Sequence, residues 1–81
     1  PLYSFATRFA GKEAVFKALR IGGNDIRLTE IEILEDETHA PFVILHASAS
    51  KIAEEKKIIM IHISLSYDSD YAIGYALAEG K

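Results

Sequence analysis

The 81-residue chain contains no cysteine, which removes disulfides, zinc ribbons and CxxC redox chemistry and points to a cytoplasmic address. No apolar run approaches the ~18 residues of a membrane span, and no basic-then-apolar leader precedes the first helical segment, so the chain reads as soluble. Internal repeats, low-complexity stretches and linkers are absent. So are a glycine-rich phosphate loop and a Ser-His-Asp order. With a pI near 5.5, the chain also lacks the basic footprint of a nucleic-acid binder.

What is present is a composition of 49% hydrophobic and 26% charged residues, the profile of one small globular domain. A chain of this length buries only about 60% of the surface its unfolded form exposes. With the disulfide route closed, a partner subunit is the expected source of extra stability, and we expect a homo-oligomer. The net charge of −3 is unevenly spread. Residues 1–20 hold Arg8, Lys12, Lys17 and Arg20 against Glu13 alone, a local charge of +3, whereas five basic and eleven acidic side chains give the remainder −6. A basic first helix on an acidic body suggests that an anion meets that helix.

From Leu2 to Leu19 the pattern is helical, with Leu2, Phe5, Phe9, Phe16 and Leu19 on one stripe at about 100° per residue. Gly22-Gly23-Asn24-Asp25 is the breaker that follows. Glu30–Leu34 alternates acidic residues with isoleucine, a half-buried strand with Ile31 and Ile33 inward. Residues 35–41 read as a turn and 42–46 as a second strand. A short helix ending at Lys57 is expected to take its cap from Ser48 or Ser50. Residues 58–66 form a strand with Ile59, Ile61, Ile63 and Leu65 on one face and Met60, His62, Ser64 and Ser66 on the other. Tyr67-Asp68-Ser69-Asp70 has turn composition. The last strand, Tyr71–Glu79, sets Tyr71, Ile73, Tyr75 and Leu77 against a face of only Ala72, Gly74, Ala76 and Ala78. A face that small lets a helix pack very close. The predicted class is α+β, a mainly antiparallel sheet with helices packed on one face.

The chemistry concentrates in the first helix. Glu13 and Lys17 form an i, i+4 pair on one flank, with Ala6 and Ala10 leaving room beside them. A carboxylate next to a lysine on a cleared helical surface suits Mg²⁺ and the phosphate oxygens it bridges. Spacing alone equally describes an ordinary solvated Glu-Lys pair worth about 0.3 kcal/mol. His39, His46 and His62 have no metal-ligand spacing and read as structural or exposed. Glu30, Glu32, Glu35, Asp36 and Glu37 read as a solvated edge that discourages strand pairing between molecules.

The run Arg8-Phe9-Ala10-Gly11-Lys12-Glu13-Ala14-Val15-Phe16-Lys17-Ala18-Leu19 resembles the signature helix of the 4′-phosphopantetheinyl transferases of the small holo-acyl-carrier-protein synthase type. The hairpin Ile63-Ser64-Leu65-Ser66-Tyr67-Asp68 with Asp70-Tyr71-Ala72-Ile73-Gly74-Tyr75-Ala76 is similar to the family's second motif. Between them, Ile31-Glu32-Ile33 and Pro41-Phe42-Val43 resemble its middle strands, so nearly the whole chain is covered.

The resemblance implies transfer of 4′-phosphopantetheine from coenzyme A to a serine of an acyl carrier protein, with Mg²⁺ as cofactor. It makes Glu13 the metal ligand and Lys17 the contact to the pyrophosphate, both catalytic. Arg8, Lys12, Lys17, Ser64, Ser66 and Tyr67 become coenzyme A-binding residues, and the base is either Glu13 or a metal-bound water. It further implies a cytoplasmic, trimeric enzyme of lipid synthesis, with no nucleic-acid or membrane partner and a site shared between subunits.

Two positions depart from the family pattern. The family's N-terminal strand carries an aspartate that supplies another metal ligand, and nothing ahead of Pro1 provides it in this sequence. Residues 1–81 are therefore expected to be the larger, C-terminal part of one such domain. Tyr67 stands where the second motif usually has histidine, which removes a side chain able to become cationic near neutral pH. These departures motivate an alternative, a non-catalytic α+β assembly module that retains the fold.

Overall fold

The computed structural model describes residues 3–20 and 26–81. Its order is α1 (Phe5–Ala18), a 3₁₀ turn (Leu28–Glu30), β1 (Ile31–Glu35), β2 (Pro41–Leu45), α2 (Ala47–Glu55), β3 (Ile58–Tyr67) and β4 (Ala72–Gly80). The α+β class is as expected, with the strands paired as two antiparallel hairpins, β1 with β2 and β3 with β4. The predicted breaker at residues 22–25, and Leu2 of the predicted helical stripe, lie outside the described residues.

Helix α1 starts at Ser4, whose hydroxyl accepts the Thr7 amide at 3.2 Å, an N-cap of the kind worth about 1 kcal/mol. Its buried face keeps only the C-terminal end of the predicted stripe, where Leu19 is buried and Phe16 packs against the core. Thr7, Gly11 and Val15 are buried, while Phe5 is 84% exposed and Phe9 42%. The cause is the partner surface: β4 turns its smallest residues toward α1, and the helix answers with its own smallest ones. A Cβ built on Gly74 would lie 2.6 Å from the carbonyl oxygen of Ala10 and 2.7 Å from the Cα of Gly11, so at that crossing only glycine fits. Phenylalanines in the same interface would hold the two backbones apart.

The core gathers Val15 of α1 and Leu19 at its C-cap, Ile26 ahead of the 3₁₀ turn, Ile31 and Ile33 of β1, and Ala49 and Ala53 of α2. Ile31 and Ile33 point inward as the alternation predicts. On β3, Ile61, Ile63 and Leu65 pack against this core, but Ile59 is 62% exposed. A register irregularity between Ile58 and Met60 shifts the side-chain phase there, so Ile58 turns inward in its place.

The acidic run is not an idle solvated edge. One Glu30 oxygen accepts the Arg27 amide at 3.1 Å and the other accepts the Ala49 amide at 3.0 Å. Glu30 thereby caps α2 from across the chain, and neither Ser48 nor Ser50 does so, the N-cap position being His46 without a side-chain bond. Glu32 meets His46 at 2.9 Å, and Glu35 meets both His39 at 3.1 Å and Arg8 at 3.8 Å. Asp36 closes the β1–β2 turn, accepting the amides of Thr38 and Ala40 and the Thr38 hydroxyl. Asp68 organises the β3–β4 turn in the same way, accepting the amides of Asp70 at 2.7 Å and Tyr71 at 3.2 Å.

Candidate active site

Helix α1 lies across β4 with Ala10 and Gly11 over Gly74. The next turns of the helix then carry Glu13 and Lys17 along the rim of a groove of about 520 Å³. Ala10, Ala14 and Ala18 of the helix and residues 72–76 of β4, Ile73 and Tyr75 among them, line the rest of it. Both side chains are exposed. Among the described residues neither Glu13 nor Lys17 is in an ion pair, with each other or with any third group. Lys17 also stands in the last turn of α1, where a cation complements the carbonyl end of the helix. Glu13 and Lys17 border a second, adjoining hollow of about 340 Å³ against Phe16 and Leu28. Two uncommitted opposite charges over an open groove suit a ligand with both anionic oxygens and a bound cation.

Among the described residues Glu13 is the sole carboxylate on that groove, and no group of three metal-ligating side chains exists among them. The residues present therefore do not make a cage for a metal held by protein alone. They do fit Mg²⁺, which typically takes one or two carboxylates and completes its shell with substrate phosphates and water.

The remaining sequence candidates fall into different places. Arg8 and Lys12 line a groove of about 430 Å³ on another flank of α1, with Phe5, Phe9, Leu28 and Leu34. There Phe5 and Phe9 stack, ring centroids 6.1 Å apart, and Arg8 leans toward Glu35. Tyr67 sits at the start of α1, edge-on to Tyr3 at 6.1 Å, in a depression shared with Ser4, Thr7 and the β3–β4 turn. Ser64 and Ser66 are exposed and pair in register with Tyr75 and Ile73. That puts them on the face of the second hairpin directed away from α1. A single chain thus places Glu13 and Lys17 on one groove, Arg8 and Lys12 on another flank of the helix, and turns Ser64 and Ser66 outward.

The histidines are each placed on a glutamate, His39 on Glu35, His46 on Glu32 and His62 on Glu79 at 3.0 Å. The tether of Arg8 to Glu35 carries no periodic signal and was not predicted, since it joins residues 27 positions apart. The closeness of α1 to β4 was foreshadowed by the small face of the last strand; Gly74 as its contact point was not.

Helices gathered on antiparallel hairpins, with an exposed carboxylate and lysine over a groove between helix and strand, define a small α+β domain with a charged cleft at its helix-strand seam. Residues 1–76 match the 4′-phosphopantetheinyl transferase superfamily, and the chain belongs to that family. It is 40% identical over 78 residues to the holo-acyl-carrier-protein synthase of Clostridium tetani, covering 96% of this chain and 62% of that protein. It is 41% identical over 80 residues to the fatty acid synthase subunit alpha of Schizosaccharomyces pombe, covering 96% of this chain and 4% of that protein. The holo-acyl-carrier-protein synthase structure from Plasmodium yoelii superposes with a TM-score of 0.83 at 33% identity, covering 93% of this chain and 56% of that one. The Helicobacter pylori synthase in complex with coenzyme A superposes at 0.78 and 29% identity, covering 91% and 63%. The chain thus spans about three fifths of the length of the synthases it matches.

Proposed function

We propose that this chain is the larger part of a holo-acyl-carrier-protein synthase domain that transfers 4′-phosphopantetheine from coenzyme A to a serine hydroxyl of an acyl carrier protein, with Mg²⁺. The observation that carries this reading is the placement of Glu13 and Lys17, exposed and in no ion pair among the described residues, together on the groove at β4 in a chain that belongs to the family. The bond from the carrier serine Oγ to phosphorus forms as the phosphorus-oxygen bond to the leaving adenosine 3′,5′-bisphosphate breaks. In such reactions positioning and neutralisation of spread charge do most of the work. Lys17 balances negative charge on the pyrophosphate as it passes to the leaving group. Glu13 would hold the metal, which would supply further neutralisation at the pyrophosphate, or would receive the serine proton. Arg8 and Lys12 offer cationic ends on the neighbouring flank, where an anionic part of coenzyme A or an acidic carrier surface meets them.

We further propose that the site is completed by another copy of the chain in a homotrimer. Tyr75, Leu77, Ile73, Met60 and Ile59 all lie more than half exposed on or beside the outward face of the second hairpin. Large apolar groups left open in this number mark an interaction surface. Ser64, Ser66 and Tyr67 then serve a groove formed with the neighbouring subunit. The activity is assigned to lipid synthesis in the cytoplasm; no helix among the described residues is long and apolar enough to cross a membrane.

Titrating coenzyme A into the full-length native protein with Mg²⁺ tests the reading. Binding that weakens strongly when Mg²⁺ is withdrawn supports it. Absence of binding in both conditions would favour the non-catalytic module that keeps the fold, the alternative that Tyr67 motivates.

A further inference from the structure

We infer that Gly74 is a positioning residue, whose missing side chain sets the depth at which α1 seats on β4 and so the placement of Glu13 and Lys17 over their groove. The inference rests on the transferase reading above and adds to it a residue that touches no substrate. A Cβ on Gly74 would stand 2.6 Å from the Ala10 carbonyl oxygen, 2.7 Å from the Ala10 carbonyl carbon and 2.7 Å from the Gly11 Cα. All three atoms are helix backbone, which cannot rotate aside as a side-chain end can. Ordinary contact begins near 3.4 Å, so one added methyl group must lift this turn of the helix by roughly 0.8 Å. Ala10 stands one turn before Glu13 and Ala14 and two before Lys17, and all of these line the groove that Gly74 also lines. A lift at Ala10 therefore moves the carboxylate and the ammonium relative to the strand. Displacements of about 1 Å at reacting groups cost up to about a hundredfold in rate.

Three other positions calibrate the effect. A Cβ on Gly11 would meet side-chain ends, Leu65 Cδ2 at 2.8 Å and Ile63 Cδ1 at 3.3 Å, which can swing. A Cβ on Gly80 would meet the Lys57 carbonyl oxygen at 3.5 Å, an ordinary contact. Ala53 is buried in α2, so Ala53→Gly weakens the fold through a different helix.

The test compares Gly74→Ala, Gly11→Ala, Gly80→Ala and Ala53→Gly in the full-length native protein, below the melting temperature of every variant. It reads kcat, the KM values for coenzyme A and for carrier protein, and the Mg²⁺ concentration giving half-maximal rate. Gly74→Ala is expected to lower kcat/KM for coenzyme A by about tenfold and to raise the Mg²⁺ requirement, with KM for the carrier unchanged. Gly11→Ala shifts the same two quantities about twofold, and Gly80→Ala and Ala53→Gly leave both at wild-type values. A folded Gly74→Ala enzyme with wild-type kcat/KM and Mg²⁺ requirement overturns the inference, as does Ala53→Gly losing activity in parallel with it. Should Gly74→Ala fail to fold, Gly11→Ala carries the decision, and wild-type values in it count against the inference. A wild type that neither transfers nor binds coenzyme A defeats the transferase reading itself, an outcome distinct from the others.

Discussion

The two hairpins use the same antiparallel pairing to opposite ends. In β1–β2 the large side chains Ile31 and Ile33 turn inward and are buried, and the outward Glu32 is tied to His46. In β3–β4 the last strand is inverted, with Ala72, Gly74 and Ala76 inward and Ile73, Tyr75 and Leu77 outward and more than half exposed. The first hairpin is largely finished by the chain's own core, its outward Phe42 and Ile44 being less exposed, at 39% and 38%, than the outward residues of β4. The second gives up bulk on its inner side so that α1 sits close enough to share a groove with it, and leaves Ile73, Tyr75 and Leu77 exposed on its outer side. A pattern that looks wrong for a solitary domain is what the proposed division, chemistry on the inner face and assembly on the outer one, would require.

The sharpest way to break this contrast is to remove bulk from the first hairpin. Ile31 has no exposure, so Ile31→Ala should destabilise the fold by about 4 kcal/mol in denaturant titration. A loss below about 1 kcal/mol would mean that the core lies elsewhere. Next is the groove of the second hairpin: Lys17→Ala should lower kcat about a hundredfold, equivalent to about 2.7 kcal/mol of transition-state stabilisation, with the melting temperature nearly unchanged. A parallel loss of stability would assign Lys17 to the fold instead.

A smaller effect on folding, with a distinct readout, is expected on the outer face. Replacing Tyr75 and Leu77 together by serine should change protomer stability by no more than about 0.5 kcal/mol per site, while light scattering shows the oligomer dissociating. An unaltered oligomer would assign the exposed stripe to another partner. The smallest effect concerns the β1–β2 turn. Hydrogen bonds, first from the Thr38 hydroxyl and then from the Ala40 and Thr38 amides, hold the Asp36 carboxyl below its ordinary value of 3.8. A carboxyl lowered on folding stabilises the folded chain above its unfolded value and loses that contribution as pH falls through its folded one. The melting difference between wild type and Asp36→Ala should therefore be constant near neutral pH and narrow once the pH falls below about 3.8.

Much of this architecture is legible in the residue order, for reasons that vary along the chain. Ile31 and Ile33 are readable because a period of two has one solution when one face is buried. The β3–β4 turn is readable because aspartate supplies the local hydrogen bonds that a turn needs, which Asp68 does. The orientation of α1 is less so: hydrophobicity points to the phenylalanines, whereas the inner face is chosen by size, through Thr7, Gly11 and Val15. The cap of α2 is hidden because Glu30 reaches it from 19 residues away. The outward turn of Ile59 is hidden because nothing in an isoleucine-rich run marks the irregularity that causes it. In the site, Glu13 and Lys17 are adjacent by helical spacing alone, and resemblance to the family suggests their chemistry. The outward direction of Ser64 and Ser66 follows from strand alternation once the inner face of β3 is known.

The central claim is that Glu13 and Lys17, poised over β4, carry a Mg²⁺-dependent phosphopantetheinyl transfer. It is tested most directly by mass spectrometry of an apo-acyl carrier protein incubated with coenzyme A and the full-length native protein, with and without Mg²⁺. The account predicts phosphopantetheine on the carrier serine only when Mg²⁺ is present, and none with Glu13→Gln. Transfer that persists in Glu13→Gln, or an unmodified carrier with the wild-type protein and Mg²⁺, would contradict it.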